Sequence, residues 1–471
     1  MNQVTNPDIR TAHRRAQSGA IPAIKRWLVR AGLSTRAKID EVSKALRIVR
    51  AAGRSGGVFS YKGTPKVDRF SDLPGYKAIL KQRALAKLFG VVDPFYRCHD
   101  SRSGSEIWID GSRYTNFSSY DYLGLNQHPV VVEAAKAAID RYGTSVSASR
   151  IVAGERPVHR ALETALADFY DVESAITFVS GHATNVSTIG TLLNGEDLIL
   201  YDELVHNSVL VGGRLSQATA RAFRHNNLDA LESLLQENRP FHQRVLIVVE
   251  GLYSMDGDVP DLPRLIELKE QYGAWLMVDE AHAIGVLGAR GRGSAEHFGL
   301  RPGQVDVWMG TLSKTLAACG GYIAGKTELI DLLKFQAPGL VYSVGLSPPL
   351  AAAALAALQL LRAEPQRVAR LQANGRLFLS EAKSAGLDTG TSEGHAIVSV
   401  IVGDLINAGT LTERLLAKGI NVLPIIFPAV PLKASRLRFF ITSEHTSAQI
   451  RSAVRLTREE LDRLKYKRKA A

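Results

Sequence analysis

Trp275-Leu276-Met277-Val278-Asp279-Glu280-Ala281-His282 sets four apolar residues in a row and then turns abruptly to acid and imidazole. A short apolar run closed by polar residues is the pattern of a buried strand ending at a functional edge. Val305 to Met309, interrupted only by Asp306, is a second such run, and it opens onto Gly310-Thr311-Leu312-Ser313-Lys314. Outward from these, Ala175 to Val179, Leu198 to Leu200 and Val245 to Val249 are further β-type runs. Helical stretches such as Arg156 to Tyr170 and Leu262 to Tyr272 lie between or before them. From about Phe117 the alternation predicts an α/β fold with a mostly parallel, buried central sheet.

The rest of the chain bounds what that domain can be. It has 471 residues, 45% apolar and 22% charged, which excludes wholesale disorder. Its two cysteines, Cys98 and Cys319, are too few for a disulfide framework or a cysteine-rich zinc site, and no metal is expected. No apolar run reaches membrane-spanning length; Leu350 to Leu361 is Ala-rich and broken by Gln359, and reads as a core helix. With no signal-peptide order at its start, the chain is expected to be cytoplasmic.

Charge is uneven. Residues 1–60 hold 12 Lys/Arg against 3 Asp/Glu, so +9 of the net +12 lies there. Ile21, Ile24, Leu28 and Ala31 fall at helical spacing with Lys25, Arg26 and Arg30 among them, the pattern of a basic amphipathic helix. Two readings stay open: peripheral contact with an anionic membrane at its inner face, or packing on a neighbouring subunit. No nucleic-acid motif accompanies the charge, so nucleic acid is not expected. The divisions read from the sequence are a basic arm (1–60), an N-terminal segment (61–116), a large domain (117–345) and a smaller α+β domain (346–471). The second holds a helix near Tyr76 to Phe89 and a hairpin-like run from Glu106 to Gly111. The last holds strands such as Ile397 to Val402 and Leu437 to Ile441.

Gly320 to Thr327 satisfies the P-loop expression, and Asp279-Glu280-Ala281-His282 mimics a helicase acidic box. A P-loop needs a flexible Gly-rich turn ahead of its acidic partner. Here Tyr322-Ile323-Ala324 is strand-like and follows the box. A carboxylate at a strand end, a nearby imidazole and a lysine among small hydroxyl residues suit pyridoxal phosphate (PLP) better. That cofactor needs a Schiff-base lysine, an acid for its ring nitrogen and donors for its phosphate.

With these, Ser119 to Gly124, Ser180 to Asn185, Glu250 to Asp258 and Arg436-Leu437-Arg438 occur in order. The chain resembles the α-oxoamine synthases, fold-type I PLP enzymes with an aspartate aminotransferase-like fold, over about Phe117 to Leu464. The resemblance implies roles. Lys314 carries the cofactor and then serves as base, Asp279 pairs with the ring nitrogen, His206 stacks on the ring, and His282 contacts the phenolic oxygen. Gly181, His182, Thr311 and Ser313 hold the phosphate, with Ser343 reaching it across a homodimer interface of shared active sites; Ser254 also belongs to the cofactor site. Arg438, Tyr120 and Asp121 face the substrate. His182 stands where the family is commonly aromatic, Asp121 where Asn is usual, and Ile426 where bacterial serine palmitoyltransferases carry Arg.

The implied reaction joins an amino acid to an acyl thioester, carried by CoA or a carrier protein, with loss of CO2. Tyr120 and the basic arm point to L-serine and a long-chain acyl group, as in sphingoid-base synthesis by serine palmitoyltransferase. The alternatives are a polyketide-associated synthase, an 8-amino-7-oxononanoate synthase, an aminotransferase, or a non-catalytic regulatory relative.

Overall fold

The computed structural model describes residues 67–88, 94–427, 429–431 and 433–469. The basic arm and its helix lie outside them. Two strands, β1 (Glu106–Ile109) and β2 (Ser112–Asn116), form a hairpin closed by Asp110 and Gly111, both at positive φ, the turn an Asp-Gly pair favours. Seven strands then build the main sheet: β3 (Ser174–Phe178), β4 (Leu198–Asp202), β5 (Thr219–Phe223), β6 (Val245–Glu250), β7 (Trp275–Asp279), β8 (Val307–Thr311) and β9 (Gly321–Gly325). Their order is β3-β9-β8-β7-β6-β4-β5, and only β9 runs against its neighbours. β9 returns directly beside β8, which an antiparallel partner can do without a crossover helix. The P-loop look-alike is therefore strand β9, with no phosphate loop.

Every residue of β6 and β8 is buried, as expected of strands covered on both faces. Their side chains alternate between two cores. Val245, Ile247 and Val249 join one with Leu162, Leu231 and Leu265; Leu246 and Val248 join the other with Ile189, Val209 and Ile330. Helices thus flank the sheet on both sides, and the carboxyl ends of β4, β6, β7 and β8 open at one edge.

The smaller lobe carries β10 (Ile397–Gly403), β11 (Ile420–Asn421), β12 (Leu423–Ile425) and β13 (Ser435–Phe440). β10, β13 and β12 form an antiparallel sheet, whereas β11 pairs in parallel with β2. The hairpin from the N-terminal segment is thereby part of this lobe. Phe117 anchors it, stacked 4.3 Å from His445 and edge-on to Phe378 and Phe439. The helix Pro348–Ala363 lies past residue 345 yet packs against Pro129–Tyr142 and Pro157–Tyr170, on the main-sheet side. Among the described residues no helix is long and apolar enough to cross a membrane.

Candidate active site

β7 delivers Asp279 to the open edge, buried, and its register sets it beside Glu250 at the end of β6. The loop from β8 to β9 brings Lys314 to the same place. Lys314 is half-buried by surface area, but its amine lies deep enough that lost hydration pulls it down to about 8, against the attraction of Asp279 and Glu250. Among the described residues it makes no ion pair or hydrogen bond; its Nζ lies 6.0 Å from the centre of the Tyr120 ring. Glu250 is pushed up to about 8 by burial first and the Asp279 charge second.

Asp279 is held on both oxygens. Ala281 N–H donates to Oδ1 at 3.0 Å and Asn185 Nδ2 to Oδ2 at 2.9 Å. The same Asn185 nitrogen donates to Ser208 Oγ, also at 2.9 Å. Ser208 Oγ lies 2.7 Å from His206 Nδ1, which also accepts the Ser208 N–H. A chain of bonds thus joins the acid to the imidazole. His206 is open to solvent on one side, with His182 edge-on at 6.4 Å, and burial lowers its pKa. His282 lies deeper, against Phe440 in parallel at 6.3 Å and bonded to Tyr122 at 2.7 Å. Burial, then Lys314, Arg438 and His206, push it well below the usual histidine range.

The helix Gly181–Leu192 starts at this chamber, capped by Ser180, so Gly181 and His182 lie in its first turn. A Cβ on Gly181 would come within 3.0 Å of Thr311 Oγ1, and one on Gly321 within 2.4 Å of Thr184 Oγ1. The second position needs glycine for helix and strand to meet, since its Cβ would also lie 2.8 Å from the Gly181 backbone, and the first leaves little room. Thr311 Oγ1 in turn lies 2.8 Å from Ser313 Oγ. This clustering of helix-start amides and hydroxyls is an anion cradle. Opposite it, Arg438 on β13 donates to the Ser254 carbonyl at 2.9 Å and lies 4.5 Å over Phe440, while its Nε is buried without a partner.

The aminotransferase class I and II family matches residues 112–456. The 8-amino-7-oxononanoate synthase of Symbiobacterium thermophilum is 41% identical over 346 residues, 74% of this chain and 88% of that one. That of Thermoanaerobacter pseudethanolicus is 38% identical over 356 residues, 76% and 90% of the two chains. A solved serine palmitoyltransferase of S. paucimobilis, with a bound PLP–myriocin aldimine, superposes with a TM-score of 0.80 at 29% identity, covering 83% of this chain and 98% of that one. The 8-amino-7-oxononanoate synthase of Francisella tularensis does so at 0.66 and 26% identity, covering 75% and 99%. The chain belongs to the α-oxoamine synthase family.

As an α-oxoamine synthase it is a PLP-dependent acyltransferase of the fold-type I class. The residues fit the cofactor: a free buried amine, an anchored carboxylate, an anion cradle and the orphaned Arg438 Nε and Asn185 Oδ1 at one opening. Lys314, Asp279, His206, His282, Gly181, His182, Thr311, Ser313, Arg438 and Tyr120 are brought together. One expected residue is engaged elsewhere, and two have hydroxyls without a bond among the described residues. Asp121 accepts from Leu125 N–H at 2.9 Å and Asn126 N–H at 3.2 Å, so its carboxylate is committed to its own turn and not to a substrate. Ser254 contributes its carbonyl to Arg438 and its amide to Glu250. Ser343 makes no hydrogen bond among the described residues and sits between exposed Tyr342 and Val344.

Tyr122, Asn185, Ser208 and Glu250 escaped the sequence reading as site members, although each lies inside a quoted or adjoining motif. Their polarity beside an apolar run was the one available signal. A second buried cluster steadies the site loop. His225 is bonded at 3.0 Å to Asp202 and at 2.9 Å to Asp258, with Tyr253 edge-on at 4.5 Å. These two carboxylates overcome burial and raise the imidazole to about 10. Its ordinary value is near 6.5, so its contribution to stability is complete below that pH and is lost as pH climbs through about 10. The denaturant midpoint is therefore expected to fall between pH 7 and 10 more steeply in the native chain than in His225→Gln. Parallel pH profiles would remove the ion pairs from the account. At neutral pH the same substitution is expected to cost about 3 kcal/mol, since it strands two buried carboxylates.

Proposed function

We propose that this synthase condenses a small α-amino acid with an acyl thioester, releasing CO2 and thiol and leaving an α-amino ketone. The observation that carries the reading is that Asp279 and Arg438 both lie close enough to Lys314 to act on its charge. PLP bound there supplies a sink for negative charge at Cα. Lys314 would take up the Cα proton, Asp279 would hold the ring nitrogen, and the unpartnered side of Arg438 would receive the substrate carboxylate. Loss of that carboxylate as CO2 makes the sequence irreversible.

The finer reading favours the 8-amino-7-oxononanoate product over a sphingoid base. Relatives at 38–41% identity carry the former name, against 29% for the serine palmitoyltransferase. The product's own carbon skeleton sets the two halves. Its amine-bearing carbon with a terminal methyl comes from L-alanine, and the remaining carbons come from an acyl group ending in a carboxylate. Ile426, standing where the bacterial palmitoyltransferases carry Arg, agrees with this choice. A panel of L-alanine, L-serine and glycine against CoA-bound and carrier-bound acyl donors, read by product mass, tests it. An alanine-derived amino ketone supports the reading; serine with a long-chain donor as the preferred pair restores the sphingoid one, which Tyr120 beside Lys314 favours.

The site is proposed to be completed by a second copy. Ser343 lies between exposed Tyr342 and Val344, and the adjoining segment, tied through Gly345 N–H to the Ala148 carbonyl, exposes Ile151 and Val152. The arm is proposed to meet an anionic surface. With +9 in residues 1–60 and about 1 kcal/mol per Lys or Arg close to such a membrane, deletion of the arm is expected to abolish binding to anionic vesicles. PLP binding should survive, and full-length binding should weaken with added salt. Unchanged vesicle binding would refute the surface role; loss of a soluble dimer would assign the arm to subunit packing.

A further inference from the structure

His282 Nδ1 and the Tyr122 hydroxyl have no hydrogen-bond partner but each other among the described residues. Tyr122 is fully buried, and its hydroxyl lies 2.7 Å from His282 Nδ1, with no second hydrogen-bond partner among the described residues. Burial holds the phenol well above its ordinary value of 10, so the oxygen keeps its proton. The charged and titratable groups that bear on His282 are Lys314, Arg438 and His206, and all three, after burial, disfavour an imidazolium. A neutral imidazole has one N–H and one acceptor nitrogen. If Nδ1 carried the hydrogen, the phenol O–H would be left unpaired in a buried site, at the full desolvation cost of that donor.

We propose that Tyr122 donates to His282 Nδ1 and so fixes the ring as its Nε2–H tautomer, making Tyr122 a positioning residue for the donor at Nε2. The use of that donor rests on the proposed function, because it serves an acceptor oxygen on the bound cofactor. The tautomer does not rest on it. His206 offers an internal reference, since its Nδ1 accepts from Ser208 and owes nothing to Tyr122.

The test is 15N-histidine-labelled, full-length holoenzyme observed by magic-angle-spinning NMR, with His282→Asn to identify the His282 signals. The native protein should show one protonated nitrogen at His282, Nε2, and a bare Nδ1. Tyr122→Phe should lose that single-tautomer pattern while His206 keeps its own, and Ser208→Ala should disturb His206 and spare His282. A native His282 protonated at Nδ1, or on both nitrogens, overturns the proposal without any variant. So does a Tyr122→Phe spectrum identical to the native one, with the thermal midpoint confirming that the variant is folded. An enzyme that fails the amino-acid panel yet keeps this pattern overturns the functional reading alone.

Discussion

Lys314→Ala is expected to yield a folded protein whose condensation rate falls by about 10⁴-fold or more, because covalent attachment and proton transfer at Cα depend on one amine. Asp279 and Glu250 act on the amine through charge alone: among the described residues it makes no ion pair or hydrogen bond. A thermal midpoint near that of the native chain should accompany the loss. Borohydride treatment of the native enzyme should bleach its yellow colour and fix the cofactor to one peptide, that containing Lys314. A label on another lysine would refute the assignment, as would a coloured, borohydride-sensitive Lys314→Ala protein.

Asp279→Asn should fold as well and lose Cα–H exchange by about 10³-fold, equivalent to about 4 kcal/mol at 1.36 kcal/mol per decade. An amide at this position no longer favours a protonated ring nitrogen, so the electron sink weakens. The substitution also removes the negative charge that helps raise Glu250 to about 8, so the Glu250 carboxyl is expected to titrate at lower pH in the variant. Exchange in deuterated water follows the first effect, and a carboxyl-sensitive infrared titration follows the second. Near-native exchange would dismiss Asp279 as the ring partner.

The parts that could be read from the sequence are those fixed by local pattern. Val245 to Val249 and Trp275 to Val278 are strands because continuous apolar runs suit a sheet covered on both faces, and both became central strands. Asp279, His282 and Lys314 stood out as an acid, an imidazole and an amine after apolar runs, His206 through the family resemblance, and the fold sets the four side chains near one another. What local pattern did not disclose depends on closure of the fold. The pairing of β2 with Ile420–Asn421 joins residues about three hundred positions apart. Tyr122 and Asn185 gain their meaning only when a side chain from another element arrives opposite them. Asp121 misled because a carboxylate in a motif can serve its own turn as readily as a ligand.

The hairpin that belongs to the smaller lobe has a consequence for synthesis on the ribosome. Asn421 Nδ2 bonds to Asn116 Oδ1 across 305 residues, and Phe117 rests against Phe439 and His445. Phe117 emerges early, but Phe439 and His445, which pack on it, are made almost last. The main sheet, whose seven strands all lie between residues 174 and 325, is complete well before then. A nascent chain therefore carries a finished large lobe with an unpaired hairpin trailing from its front. Phe117, short of two of its ring partners, is the exposure a holding chaperone would meet. Any chain terminated ahead of residue 420 lacks Phe439 and His445 for good, which makes premature termination in this protein an aggregation hazard as well as a loss of Arg438.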